Sequence, residues 1–355
     1  MKTKNEITQN WLPRYTGLEL SEFSDYIILT NFNDYLSRFI DITGGKLIGS
    51  KKSMPCASGA GITMINFGMG SPNAATICDL LSVINPKAVL FLGKCGGLKK
   101  RTGIGDYIVP IGAIRGEGTS NAYFPPEVPA LPTFSLQRAV SHVIRNRECD
   151  YWTGTVYTTN RRVWEHDEVF KNYLEEIRAM AIDMETATLF SVAFKNHVPL
   201  GALLLISDQP MVPEGVKTEE SDQQVSSSYV NTHIEIGIET LEEIKNEIKL
   251  FNMVNDIKPD SKEREIKFNM DIKEAKNIIL ENVDKKITDP KIAIRILIAS
   301  SILDQTYNLA FVFGNRKHMN INIQSKTLIY IRMVMDDFSE DYSGYFKSVG
   351  SDGEY

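Results

Sequence analysis

Two apolar runs narrow most sharply what this chain can fold into. Ala88-Val89-Leu90-Phe91-Leu92 has no polar residue, and Leu200 to Ile206 is broken only by a glycine. A strand apolar at every position is buried on both faces, as in a sheet covered by helices on each side. The flanking sequence supports this. Tyr26 to Leu29, ending at Thr30, and Ile62 to Phe67, ending in Gly68-Met69-Gly70, predict further strands, and Gly105 to Ile114 another strand region. Helical spacing predicts helices over Asp34–Ile42, Asn73–Ile84, Thr186–Asn196 and Thr232–Leu250. Strands alternating with helices imply an α/β fold with a mostly parallel or mixed sheet.

In such sheets ligands bind beyond the carboxyl ends of the strands. Thr30, Gly68, Lys94, Glu185 and Asp208 all fall at or just after expected strand ends. The turns Gly68-Met69-Gly70-Ser71-Pro72 and Gly93-Lys94-Cys95-Gly96-Gly97 permit close backbone approach to a ligand, though glycine turns after strands are common. Neither fits the dinucleotide or ATP phosphate-loop pattern. Lys94, between a buried strand and a Gly-Gly pair, is either a solvated lysine or a point charge for phosphate. Ala179 to Ile182 delivers Asp183, Met184 and Glu185 to the start of a helix. One carboxylate can cap that helix, which suits Asp183, and the other is free to accept from sugar hydroxyls. Asp208 ends a hydrophobic strand; it is either a turn residue or a partly desolvated general acid.

Other chemistries are disfavoured. The four cysteines, Cys56, Cys78, Cys95 and Cys149, form no CxxC pair and read as free thiols in a reducing compartment. The five histidines show no ligand spacing, so neither a metal nor any other cofactor is expected. A net charge of −6 lacks the footprint of a non-specific nucleic-acid binder. The N-terminus has no apolar signal region, and no run is long enough to span a bilayer, so a soluble cytoplasmic protein is expected. At 355 residues the chain has room for a second domain. The expected plan is a catalytic domain over 1–252, a charged linker over 253–268, a mainly helical domain of unassigned role over 269–340 and a flexible tail over 341–355. In the third segment, helices are expected over Asp271–Lys286, from Pro290 towards Gly314, and over Asn322–Met335.

With these pieces placed, the chain resembles the purine nucleoside phosphorylase and uridine phosphorylase superfamily. The resemblance rests on the GMG turn at 68–70, the apolar strand into the CGG-type turn at 93–97, Met184-Glu185 and Ser207-Asp208. Within it the chain looks most like the AMP nucleosidases. RYTG at 14–17, LTNF at 29–32, FGMGSPNAAT at 67–76, LGKCGGL at 92–98, DMETATLF at 183–190, GALLLISDQP at 201–210 and above all IRGEGTSNAYFPPEVPALP at 114–132 carry that likeness. It covers about residues 11–250.

The resemblance implies a three-layer fold with a mixed central sheet flanked by helices, and a homo-oligomer, a hexamer built from dimers. It implies hydrolysis of AMP to adenine and ribose 5-phosphate. Glu185 would hold the ribose hydroxyls, with Gly70 nearby and Met184 under the sugar. Asp208, beside Ser207, would protonate the purine at N7, and Tyr157 would lie against the base. Phosphorylases carry a Gly-Asp-Pro turn and an arginine after the first strand, where this chain reads Thr30-Asn31-Phe32-Asn33-Asp34, and a second arginine where Phe91 stands. The missing arginine clamp argues for water as nucleophile. It leaves Lys94, with Thr30, Arg115 and a neighbouring subunit's Arg14, for the substrate phosphate. Cleavage of unphosphorylated purine nucleosides and a catalytically silent nucleotide sensor are the alternatives. A regulatory domain precedes the catalytic one in enteric members; residue 11 here is already catalytic-domain sequence, so allosteric control is not carried over.

Overall fold

The computed structural model describes residues 2–256, together with Asn277, Ile278 and Glu281, which are helical. The other expectations beyond 256, among them the helices from Pro290 and over Asn322–Met335, lie outside the described residues. The chain divides into two units, Met1–Ile244 and Lys245–Tyr355, and the first holds the whole sheet.

Nine strands build that sheet: β1 Tyr26–Thr30, β2 Lys46–Ile48, β3 Cys56–Gly59, β4 Ile62–Asn66, β5 Ala88–Gly97, β6 Tyr107–Gly116, β7 Trp152–Thr159, β8 Ala181–Asp183 and β9 Leu200–Asp208. Their order is β2-β3-β4-β1-β5-β8-β7-β6-β9, and β5 also pairs with β9, so the last five strands close into a ring. The sheet is mixed. β1, β4, β5 and β9 run parallel where they pair, as do β6, β7 and β8; β2–β3, β3–β4, β5–β8 and β6–β9 are antiparallel. β5 is buried at all ten positions, as its apolar run requires.

Helices α1 Lys4–Thr16, α2 Asn33–Thr43, α3 Ser71–Leu81, α4 Phe134–Asn146, α5 Glu168–Glu176, α6 Thr186–Lys195 and α7 Glu219–Asp256 flank or follow these strands. α3 packs on α6 and on α1, while α2 lies against β3 and β4, and α4 against β6 and β9. α7 approaches β5 through Gly237, where a Cβ would stand 2.7 Å from Leu92.

Two expectations change. The glycine turn at 93–97 is strand: Gly93 and Lys94 pair with Leu204 and Leu205 of β9, and Gly96 and Gly97 with Ile182 and Ala181 of β8. The glycines serve packing here, since a Cβ at Gly93 would meet the Phe91 ring at 2.4 Å. α7 also starts at Glu219 rather than near Thr232. Its first turns are polar, so hydrophobic periodicity does not reveal them.

Candidate active site

One pocket opens where β1, β5, β7, β8 and β9 end. Its wall includes Asn31, Phe32 and Met69 at one side, Lys94, Cys95 and Gly96 on β5, and Asp183, Met184 and Glu185 after β8. Ser207, Asp208, Pro210 and Lys217 complete it with Thr159, Arg161, Arg162, Trp164 and Glu165 after β7.

The two acids after β8 are held for different tasks. Asp183 Oδ1 accepts from the Thr158 hydroxyl at 2.7 Å, and Oδ2 accepts from the Thr186 amide at 2.8 Å and the Thr186 hydroxyl at 2.5 Å. Thr158 in turn accepts from the Ala187 amide at 2.9 Å. Asp183 therefore ties the N-terminus of α6 to β7, the capping role the sequence suggests. Those donors favour its charge, while burial pushes its pKa up.

Glu185 lines the same pocket with a different set of partners. Its Oε1 accepts from the Gly70 amide at 2.7 Å, and Oε2 from the Met184 amide at 3.3 Å. Asn31 also bonds the carboxylate. The Ser71 hydroxyl donates to the Met184 carbonyl at 2.7 Å, so the glycine turn at the head of α3 grips both residues of the Met-Glu pair. Gly70 makes this possible with φ +93°, a conformation that disfavours side chains. Burial, then the neighbouring Asp183 charge, raises the Glu185 pKa well above the usual carboxylate range.

Asp208 accepts from the Ser207 hydroxyl at 2.6 Å. Its pKa is also raised: burial outweighs the opposing pull of that bond and of Lys217 and Arg162. Lys94, with a side chain only 4% exposed, donates to Asp222 at 3.0 Å and to the Ser226 hydroxyl at 2.9 Å. Its ammonium lies 4.8 Å from the Phe32 ring centre. Burial lowers its pKa. Among the described residues no group of three or more His, Cys, Asp or Glu side chains is placed to hold a metal ion.

The phosphorylase superfamily profile matches residues 17–242. The chain is a member of the phosphorylase superfamily. Within it, the AMP nucleosidase of Escherichia coli K12 is 30% identical over 282 residues, which are 66% of this chain and 58% of that protein. The chain thus spans little more than half the length of that curated relative. The crystal structure of AMP nucleosidase from Bacteroides thetaiotaomicron is 55% identical, with TM-score 0.62, covering 69% of this chain and 98% of that one. A uridine phosphorylase from Vibrio fischeri, 23% identical with TM-score 0.57 over 63% of this chain and 94% of that one, shares the fold.

Not every residue expected at this phosphorylase-type site reaches it. Glu185, Met184, Ser207, Asp208 and Lys94 do, and Gly70 acts on the pocket through Glu185. Thr30 is fully buried and lies outside the lining, its hydroxyl without a partner among the described residues. The next residue, Asn31, just past the end of β1, lines the pocket instead.

Tyr157 is not part of the lining either. Its ring packs edge-on to Phe170 and Tyr173, at 5.7 and 5.9 Å, and over Gly116. The aromatic that the β7 side supplies to the pocket is Trp164. Arg14 is an exposed residue of α1 outside the lining. Arg115 directs all five N–H groups inward, to Ser120, Asn121 and the carbonyls of Phe124, Pro125 and Val128. It folds the 118–128 loop and has no donor left for phosphate. Sequence reasoning missed Trp164, Glu165, Arg162 and Lys217. They lie in loops, where no periodicity marks a residue, and only the position after β7 and β9 would have pointed to them.

Proposed function

We propose that the chain hydrolyses the N-glycosidic bond of AMP, giving adenine and ribose 5-phosphate with water as the nucleophile. The observation that carries this is the pairing, across one pocket, of two buried carboxyls with different partners: Asp208, which accepts from the Ser207 hydroxyl and is biased towards protonation, and Glu185, held by the Gly70 and Met184 amides. Cleavage of a nucleoside builds positive charge on the sugar and negative charge on the departing purine. Asp208 gives a proton to N7, so adenine leaves neutral. Glu185, held by the Gly70 and Met184 amides, accepts from the ribose hydroxyls, bonds that tighten as positive charge grows on the sugar. Met184 lies under the sugar, and Trp164 offers a face to the base. Water then adds to the anomeric carbon, so no covalent residue is required.

The names of the relatives support the nucleotide over the nucleoside, and the buried cation Lys94 beside the sugar site gives a phosphate something to meet. Assembly as a homo-oligomer, a hexamer, and action in the cytoplasm belong to the same proposal. No described helix is long and apolar enough to cross a membrane.

Incubating the purified full chain with AMP, adenosine and methylthioadenosine, with and without orthophosphate, tests the reading. Adenine release from AMP that needs no orthophosphate is expected. Release from adenosine that depends on orthophosphate would replace hydrolysis of a nucleotide by phosphorolysis of a nucleoside.

A further inference from the structure

Asp222 stands in the first turn of α7, and one of its carboxylate oxygens serves two cations. Oδ1 accepts from Lys94 at 3.0 Å and from Lys217 at 2.8 Å. The two ammonium nitrogens therefore lie within about 6 Å of each other. Both lysines line the pocket. Both are largely withdrawn from water, with side chains 4% and 21% exposed, whereas Asp222 is 38% exposed. The cluster carries two positive charges against one negative charge. Lys94 spends two of its three N–H groups on described residues, Asp222 and Ser226.

Two ammonium groups converging on a single oxygen, at that separation and with charge to spare, match the demands of a phosphate group. Its oxygens accept several charge-assisted bonds at once, and its charge exceeds that of one carboxylate. We propose that Lys94 and Lys217 form a phosphate subsite, and that Asp222 is an internal anion holding the pair together until phosphate competes for it. The proposal rests on the AMP-cleaving reading for the source of that phosphate, the substrate's own 5′-phosphate. Free orthophosphate offers the same chemistry, and the two sources are separable.

The test uses the full chain and the variants Lys217→Met and Asp222→Asn. Lys217 is the more exposed lysine, so its loss spares the fold where Lys94→Met risks it. Two quantities are read: the ratio of kcat/KM for AMP over adenosine, and the calorimetric affinity for orthophosphate. Lys217→Met is expected to lower the AMP-over-adenosine ratio about tenfold or more, the scale of a lost charge-assisted bond, and Asp222→Asn to raise it. If Lys217→Met leaves the ratio intact but weakens orthophosphate binding by a similar factor, the subsite stands and takes the free anion. If neither quantity moves and only the thermal midpoint falls, the ion pairs merely fasten α7, and the proposal is overturned. Should Asp222→Asn weaken phosphate as Lys217→Met does, the competing role of Asp222 fails. A wild-type chain that releases no adenine from AMP defeats the proposed function, while orthophosphate calorimetry still reports on the lysines.

Discussion

At the scale of single residues, the site depends on two carboxyls whose surroundings resist ionisation and whose partners differ. Asp208 has one neutral donor, the Ser207 hydroxyl, and sits deep enough that burial decides its direction. A proton is therefore retained to higher pH than on a free aspartate, as donation to a purine requires. Asp208→Asn keeps the shape and removes the proton, so kcat for adenine release should fall by about 10²–10⁴-fold. For the wild type, kcat should decline as pH rises through the raised Asp208 pKa, and that contribution to the alkaline limb should be missing from the residual activity of the variant. A wild-type rate maintained by the variant would remove Asp208 from the chemistry.

Glu185, bonded to the Gly70 and Met184 amides, has its role in the ribose hydroxyls. Wild-type kcat/KM should be about tenfold or more lower for 2′-deoxy-AMP than for AMP, and Glu185→Gln should shrink that gap. Both acids were legible because each stands at or just after the end of an apolar strand, the edge of the sheet where ligands bind. Trp164 and Lys217 were not, because a loop residue is placed by the elements on either side of it.

At the scale of elements, the acid whose oxygens are committed to the scaffold matters as much. Asp183 joins β7, β8 and α6 through bonds to Thr158 and to both donors of Thr186. Asp183→Asn puts an NH₂ group against at least one of those donors, leaving a buried polar group unpaired. The cost should be about 2–3 kcal/mol, read as a shift in the urea unfolding midpoint. Because α6 carries Glu185 at its head, kcat should drop as well. An unaltered midpoint would show that α6 is held by packing alone.

The sequence showed α6, α3 and α2 to within a few residues, since each has an apolar face at helical spacing. It did not show β7 or α5. In Trp152–Thr159 no apolar run or alternation stands out, and Glu168–Glu176 has a single buried residue, Leu174. Their places are set by the ring of strands, a long-range property.

At the scale of the whole unit, closure of β5, β8, β7, β6 and β9 leaves α7 to cover the strands it crosses, and His233 is a polar group in that cover. It is fully buried on α7, with Nε2 3.0 Å from the Leu203 carbonyl of β9 and Nδ1 2.9 Å from the Tyr35 hydroxyl of α2. The carbonyl can only accept, so Nε2 carries the proton and Nδ1 accepts from Tyr35. The ring is thus a neutral bridge between two elements, with the Tyr107 ring alongside at 5.8 Å.

Burial, helped by the Lys94 charge, drives the His233 pKa down to about 3. Above the unfolded value of about 6.5 the ring is neutral in both states and pH does not act through it. As pH falls below that value the unfolded chain takes up a proton the folded chain refuses. Folding stability then declines by up to about 1.4 kcal/mol per pH unit until the folded pKa is reached. Glu185 and Asp208 act in the opposite sense, because a raised carboxylate pKa favours the folded state as pH falls through it. The measured acid limb is the sum of these, so the wild type alone cannot isolate the histidine. His233→Gln can. It should be less stable at pH 8, having lost a fitted bridge, and its stability relative to wild type should improve steadily from pH 6.5 to pH 4. Urea midpoints taken at half-unit intervals for both proteins would show this. Parallel curves through that window would mean that the folded protein admits the proton and that the bridge is not closed to water.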